Sequence, residues 1–137
     1  YDRSRQAGFA LVFERTALIL KALADDVADS GASMLVAVIP DRLQVYSREQ
    51  QVLAESLGQD EASFDWDKPQ RELATFFEQE GIAWIDLLPA FRTASESATL
   101  YGRGDTHWSP DGCRLAANLI GDALRARPEW LGLPAGR

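Results

Sequence analysis

The sequence predicts an α/β fold with a parallel sheet that is only partly contained in the chain. Residues 34–39 and 82–85 are short apolar runs without alternation, typical of strands buried on both faces. Helical periodicity lies before, between and after these runs, and a crossover of this length implies parallel pairing. Sheets commonly have about four to six strands. We therefore expect further strands from upstream sequence, from a partner chain or from weaker patterns in the chain itself.

Two helices are predicted in the first half of the chain. Residues 9–27 carry apolar side chains at three- and four-residue steps, and Gly31 ends this helix. Ser47 is the predicted N-cap of the next helix, with Gln50 as its capping-box partner and Gly58 as its end. The first of these helices is expected to pack on the core.

The middle of the chain is predicted to contain one more helix between loops. Residues 59–66 are polar with two aromatic side chains and predict a loop, and a helix with proline at its first position follows over residues 69–81. Asp86 is expected just after the second strand, before a turn over residues 87–91. Residues 92–104 predict a long polar loop, which at this length is either functional or mobile.

The last helix has clear boundary signals. Ser109 is the predicted N-cap, Pro110 occupies the first helical position and Asp111 favours the positive end of the helix dipole. Pro128 ends the helix. Cys113 has small apolar neighbours and is expected to be a buried hydrophobic residue without reactivity.

Composition narrows the classes of function. The formal net charge of -7 argues against nucleic-acid binding. The sequence contains neither a basic amphipathic stretch nor an apolar stretch long enough to predict contact with a membrane. The sequence has one histidine and one cysteine, so we expect no metal site built on these side chains. His107 is therefore the single histidine available as a general base near neutral pH.

Asp105 and His107 form the one credible chemical site. They lie two residues apart in a loop directly before a helix N-cap, so their side chains can meet across a tight turn. A carboxylate that accepts from the imidazole Nδ1–H fixes the tautomer and stabilises the imidazolium, as a serine-esterase triad requires. Two other interpretations stay open: the pair is a surface or capping feature, or Asp86 is the partner of His107.

At this segment the chain resembles the SGNH (GDSL-like) hydrolase superfamily. The family has an Asp and His pair just before its final helix, and here the corresponding segment is DTHWSPDG, residues 105–112. Its Asp-x-His-Trp form resembles the branch that includes alginate-type O-acetyltransferases, whereas most SGNH esterases have two residues between Asp and His. Residues 35–40 and 81–87 resemble the family's fourth and fifth strands, so the resemblance covers roughly residues 30–125.

The resemblance implies a partial three-layer α/β/α, flavodoxin-like domain from which the N-terminal strands are absent. It implies that Asp105 orients His107, which acts as general base and then acid, with no cofactor. Trp108 is a candidate for the wall of an acyl or sugar pocket, although it can equally pack beneath the loop. Arg42 follows the first strand together with Asp41, where either substrate contact or capping and ion pairing is expected. Arg103 is a candidate anion contact or a solvated residue.

The serine nucleophile of the family is not found in this chain. The Gly-Asp-Ser block and the Gly and Asn donors of the oxyanion hole have no counterpart, and in the acetyltransferase branch the serine block follows the Asp-x-His segment. Ser30 precedes a strand where the family serine follows one, and Ser109 is better explained as an N-cap. The nucleophile is therefore expected outside these 137 residues.

Three functions follow from this interpretation. The leading hypothesis is a serine-dependent esterase or deacylase, inactive as the isolated chain, that acts on a small acyl ester or an acetylated carbohydrate. The alternatives are a polysaccharide O-acetyltransferase and a non-catalytic SGNH-like binding or scaffold domain. The only macromolecular partner expected is the remainder of the same domain. The excess of Ala and Arg over Lys favours a bacterial source, and the resemblance implies the periplasm or cell envelope.

Overall fold

The structure, a computed structural model, describes residues 6–131. Its helices and strands alternate in the order that the sequence predicts, with one additional short helix after each strand. In chain order the elements are α1 (Gln6–Asp29), β1 (Leu35–Val38), α2 (Arg42–Val45), α3 (Ser47–Ser56), α4 (Lys68–Glu80), β2 (Ala83–Asp86), α5 (Leu88–Ser95) and α6 (Pro110–Ala126), with 3-10 turns at Glu61–Ser63 and Pro128–Leu131.

β1 and β2 pair in parallel, as predicted. Leu35 lies opposite Ala83, and Val38 lies opposite Asp86. Asp86 is thus the last residue of β2, where the sequence analysis placed it just beyond the strand. Within residues 6–131 the sheet has these two strands, and neither is buried along its whole length. The α/β fold is confirmed, in a partial form.

Helices cover both faces of this small sheet. On one face, α1 and α4 pack against side chains of alternate strand positions, namely Val36, Val38 and Trp84. On the opposite face, Ile85 joins a cluster formed by α2, α5 and α6, in which Phe91 is fully buried. The period of two along each strand therefore divides the core into two layers.

The predicted turn at residues 87–91 is wrong, because this segment begins α5. Leu88 and Phe91 lie three residues apart and are both buried, so one face of a short helix enters the core. The Asp86 carboxylate accepts a hydrogen bond from the Leu88 backbone N–H at 2.9 Å and satisfies one free donor of the first turn. The long loop that follows is correspondingly shorter, since α5 continues to Ser95.

The predicted cap at Ser47 is also wrong. Tyr46 is the N-cap of α3 and makes no side-chain cap bond. The capping box lies one helix earlier, where the Asp41 carboxylate accepts from the Leu43 N–H and the Gln44 side-chain oxygen accepts from the Asp41 N–H. The capping alternative for Asp41 is thereby confirmed. Only Tyr46 separates Ser47 from the short helix α2, and Ser47 is already the first helical residue of α3.

The cap of α6 agrees with the sequence, but the environment of Cys113 does not. Ser109 accepts from the Gly112 N–H, and Pro110 is the first helical residue. Cys113 is exposed, because the buried face of this first turn carries Gly112 and, one turn later, Ala116. The neighbours along the chain misled the prediction, since on a helix they occupy different faces.

α1 has a second apolar face that is largely exposed within the described range. It is formed by side chains that are half or more exposed: Leu11, Val12, Leu18, Ile19 and Leu23. Ile39, directly after β1, is 61% exposed. None of the helices between residues 6 and 131 combines the length and the hydropathy of a membrane span.

Candidate active site

The Asp-x-His pair lies at the tip of a short hairpin, residues 101–108, called the dyad hairpin below. An antiparallel bridge between Tyr101 and Trp108 forms its base, and the Gly102 N–H donates to the His107 carbonyl at 2.9 Å. Gly104 has φ of 68°, a left-handed conformation that glycine adopts without strain. Gly104 thus allows the chain to reverse within a few residues.

Asp105 and His107 are in direct contact. Oδ1 of Asp105 lies 2.5 Å from Nδ1 of His107 and also accepts from the His107 backbone N–H at 3.0 Å. This backbone donor, followed by the imidazole, lowers the pKa of Asp105 below its ordinary value of 3.8. The His107 side chain is 87% exposed, so its ring is accessible for proton transfer. The geometry is that of a carboxylate orienting a base.

Two hydrogen bonds attach the base of the hairpin to the segments on either side of α2. The Tyr101 hydroxyl donates to the Pro40 carbonyl at 2.6 Å, and the Leu100 N–H donates to the Tyr46 hydroxyl at 2.9 Å. Burial raises the pKa of Tyr101, partly offset by the nearby Trp108 indole, so the phenol stays a donor at neutral pH. Leu100 and Tyr101, at the start of the hairpin, are therefore held in place by these bonds.

α6 packs against the same backbone at a position that only glycine permits. A Cβ on Gly112 would lie 2.2 Å from the Leu100 carbonyl oxygen, which is far inside van der Waals contact. Ser109 contributes from the other side of this contact: its hydroxyl donates to the Thr99 carbonyl at 2.6 Å while it caps α6. The helix that follows the dyad is thus fixed tightly to the strand of backbone that precedes it.

Arg42, a candidate substrate contact, is engaged within the protein. Its Nε and Nη2 form a bidentate ion pair with Glu49 at 2.5–2.9 Å. Its Nη1 donates to the carbonyl oxygens of Gly102 and Asp105, the latter at 3.2 Å. The expected ion pair is present. The contact with the dyad hairpin was not foreseen, because more than fifty residues separate the partners and no local pattern marks it.

The other candidate residues, Trp108, Asp86 and Arg103, have three different environments. Trp108 packs beneath the hairpin, with its ring centroid 5.3 Å from that of Phe91, which is the packing alternative. The Asp86 carboxylate accepts from the Leu88 N–H, and burial raises the pKa of Asp86. The His107 ring is contacted by Asp105 and not by Asp86. Arg103 is exposed on the hairpin.

No serine hydroxyl of residues 6–131 is hydrogen-bonded to His107. Ser30 donates to the Val27 carbonyl at the end of α1, and Ser109 is the α6 cap. The described part of the chain also contains no group of three or more side chains suited to hold a metal ion. The candidate site within the described residues thus consists of the His107 imidazole and the Asp105 carboxylate.

Comparison with known proteins identifies the family of the chain. The family model for the SGNH hydrolase-like domain of the acetyltransferase AlgX matches residues 2–137. The chain belongs to this AlgX-type SGNH family. It is similar to the alginate biosynthesis protein AlgX of Pseudomonas aeruginosa, with 34% identity over 118 residues, and to that of Azotobacter vinelandii, with 32% identity over 118 residues. It is also 29% identical over 105 residues to the probable alginate O-acetylase AlgJ of Pseudomonas aeruginosa.

The match covers most of this chain but a minor part of its relatives. The AlgX alignments cover 84% of the chain and 23% of each relative, and the AlgJ alignment covers 77% and 25%. The chain therefore spans about a quarter of the length of these SGNH proteins. No solved structure matches it at a significant level. The resemblance of the chain to the SGNH superfamily is therefore confirmed.

Proposed function

We propose that this chain supplies the acid–base half of a serine-dependent O-acetyltransferase that modifies a polysaccharide. The observation that carries the proposal is the contact between Asp105 and His107, with Nδ1 and Oδ1 2.5 Å apart on an exposed hairpin. The names of the relatives, an alginate O-acetylase and alginate biosynthesis proteins, favour acetyl transfer among the reactions that such a dyad supports. The serine comes from sequence outside the described residues.

The reaction divides into two acyl transfers. In the first, His107 takes the proton of the serine hydroxyl as its oxygen attacks the acetyl carbonyl, and it returns this proton to the leaving alcohol when the donor ester bond breaks. In the second, His107 deprotonates a sugar hydroxyl, which attacks the acetyl-serine ester, and the serine leaves with the proton. Asp105 stays ionised throughout and stabilises the imidazolium.

Ester hydrolysis is the second candidate, and it differs only in the acceptor. If water replaces the sugar hydroxyl in the second step, the same dyad makes an esterase or deacylase. The exposure of His107, 87% for its side chain, favours this alternative, because a site open to water releases its acyl group. A scaffold domain without catalysis is the third candidate, and intact dyad geometry argues against it.

The test uses the intact protein with an acetyl donor and an acceptor polysaccharide. We expect His107→Ala to abolish transfer and Asp105→Asn to lower kcat roughly 10³- to 10⁴-fold, since the wrong tautomer of the imidazole then faces the serine. Asp111→Asn is the matched control, because Asp111 is an exposed carboxylate on α6 paired with Arg114. Acetate release without acetylated polysaccharide would identify a hydrolase. Full activity of His107→Ala would refute a catalytic dyad, whereas turnover by the isolated chain would refute a serine supplied from outside it.

We further propose that other strands of the same domain complete the sheet. The two described strands leave backbone edges without partners in residues 6–131, and the outer face of α1 exposes five large apolar side chains. An apolar surface of this kind is normally covered in a folded protein. The remainder of the domain would thereby bring the serine to the C-terminal edge of the sheet, where the dyad hairpin lies.

A further inference from the structure

Arg42 joins two parts of the molecule that are distant in sequence. One edge of its guanidinium, Nε and Nη2, is held by both carboxylate oxygens of Glu49 on α3. Its remaining nitrogen, Nη1, donates to the backbone carbonyls of Gly102 and Asp105. The guanidinium lies 5.5 Å from the centre of the Tyr46 ring, and its side chain is 24% exposed. Arg42 is therefore fixed on three sides.

The contact falls on the part of the hairpin that has the least other support. The base is secured by the Tyr101–Trp108 bridge and by the Tyr101 hydroxyl, whereas residues 103–107 are all exposed. Asp105 carries both the carbonyl that Arg42 binds and the carboxylate that binds His107. Arg42 thus binds the backbone of the residue whose carboxylate contacts His107.

We propose that Arg42, held by Glu49, is a positioning residue that fixes the dyad hairpin relative to the end of β1. The proposal rests on the proposed function, because the geometry that Arg42 preserves is that of the Asp105–His107 dyad. A misplacement of about 1 Å in a catalytic group can cost on the order of 100-fold in rate. Lysine cannot replace arginine here, since a single ammonium cannot hold Glu49 in a bidentate pair and bind two carbonyls at once.

The experiment compares Arg42→Met, Arg42→Lys and Glu49→Gln with the wild type in the intact protein. Two properties are measured: kcat and KM for acetyl transfer, and hydrogen exchange by mass spectrometry in peptides from the dyad hairpin and from α4. Arg71→Met is the matched control, because Arg71 forms a guanidinium–carboxylate pair with Asp65 at 2.6 Å on the surface.

We expect Arg42→Met to lower kcat roughly 10- to 100-fold with little change in KM, and to speed exchange in the hairpin but not in α4. Arg42→Lys and Glu49→Gln should give smaller losses of the same kind, and Arg71→Met none. If Arg42→Met speeds exchange in α4 as well as in the hairpin, kcat and hairpin exchange in Arg42→Lys and Glu49→Gln test the positioning role instead.

Three results would overturn the positioning role. Unchanged kcat in Arg42→Met would contradict the positioning role. A higher KM at constant kcat would show that Arg42 contacts the substrate instead. Unchanged hairpin exchange in all three variants would show that Arg42 does not hold the hairpin. Exchange does not depend on activity, so it distinguishes failure of this inference from failure of the proposed function, which His107→Ala tests.

Discussion

Asp105 and Asp86 are carboxylates whose pKa values respond to folding in opposite directions. The His107 backbone N–H, assisted by its imidazole, lowers the pKa of Asp105, whereas burial raises the pKa of Asp86 despite the Leu88 N–H that it accepts. For Asp105 the ionised form is favoured in the folded protein. Its stabilising contribution is present above pH 3.8 and is lost as the pH falls through its lowered pKa. For Asp86 the ionised form is disfavoured, so folding becomes less favourable as the pH rises through its raised pKa.

Asp86→Asn should therefore keep or raise the melting temperature of the intact protein at pH 7. The amide oxygen can still accept from the Leu88 N–H, while the cost of a buried charge disappears. The gain over wild type should vanish near pH 3, where Asp86 is protonated. Asp105→Asn is the opposite case, with a slightly lower melting temperature at pH 7 that converges with wild type in acid. Thermal scans from pH 3 to pH 7 measure the melting temperatures of both variants. A fall of several degrees for Asp86→Asn at pH 7 would mean that the Asp86 charge stabilises the folded protein.

At the scale of single elements, local signals predicted α6 and failed for α5 and for the first caps. The Ser-Pro-Asp-Gly start of α6 encodes its own cap, hence the agreement with the structure. α5 spans only Leu88–Ser95, too short for a repeated apolar pattern, and its first turn depends on the Asp86 side chain. The Asp41 capping box was overlooked because Ser47 offered the same pattern six residues later. The dyad was predictable because both residues lie within one turn, unlike the Arg42 contact.

The packing of α6 leads to a prediction about its two interior glycines. Gly112→Ala should destabilise the intact protein by about 1–3 kcal/mol or more, because the new methyl group meets the Leu100 carbonyl, which belongs to the backbone and cannot move aside. Gly121→Ala in the same helix should stabilise it by about 0.5–1 kcal/mol, since its methyl group meets only the flexible Arg125 guanidinium at 3.4 Å. Urea unfolding of both variants measures the difference. Equal effects would show that α6 does not approach Leu100 closely.

At the scale of the whole molecule, the exposed apolar face of α1 allows a test of whether other parts of the domain cover it. Ile19 on α1 and Val52 on α3 are similarly exposed, at 69% and 58%, but Ile19 lies in a continuous apolar face and Val52 on a largely polar helix. If other strands or helices of the domain cover α1, Ile19→Glu buries an unpaired charge and should lower the free energy of unfolding of the intact protein by more than about 2 kcal/mol. Val52→Glu should change it by less than about 0.5 kcal/mol. Denaturant unfolding of the two variants compares them directly, and equal small effects would place the outer face of α1 in solvent and contradict the cover proposed for it.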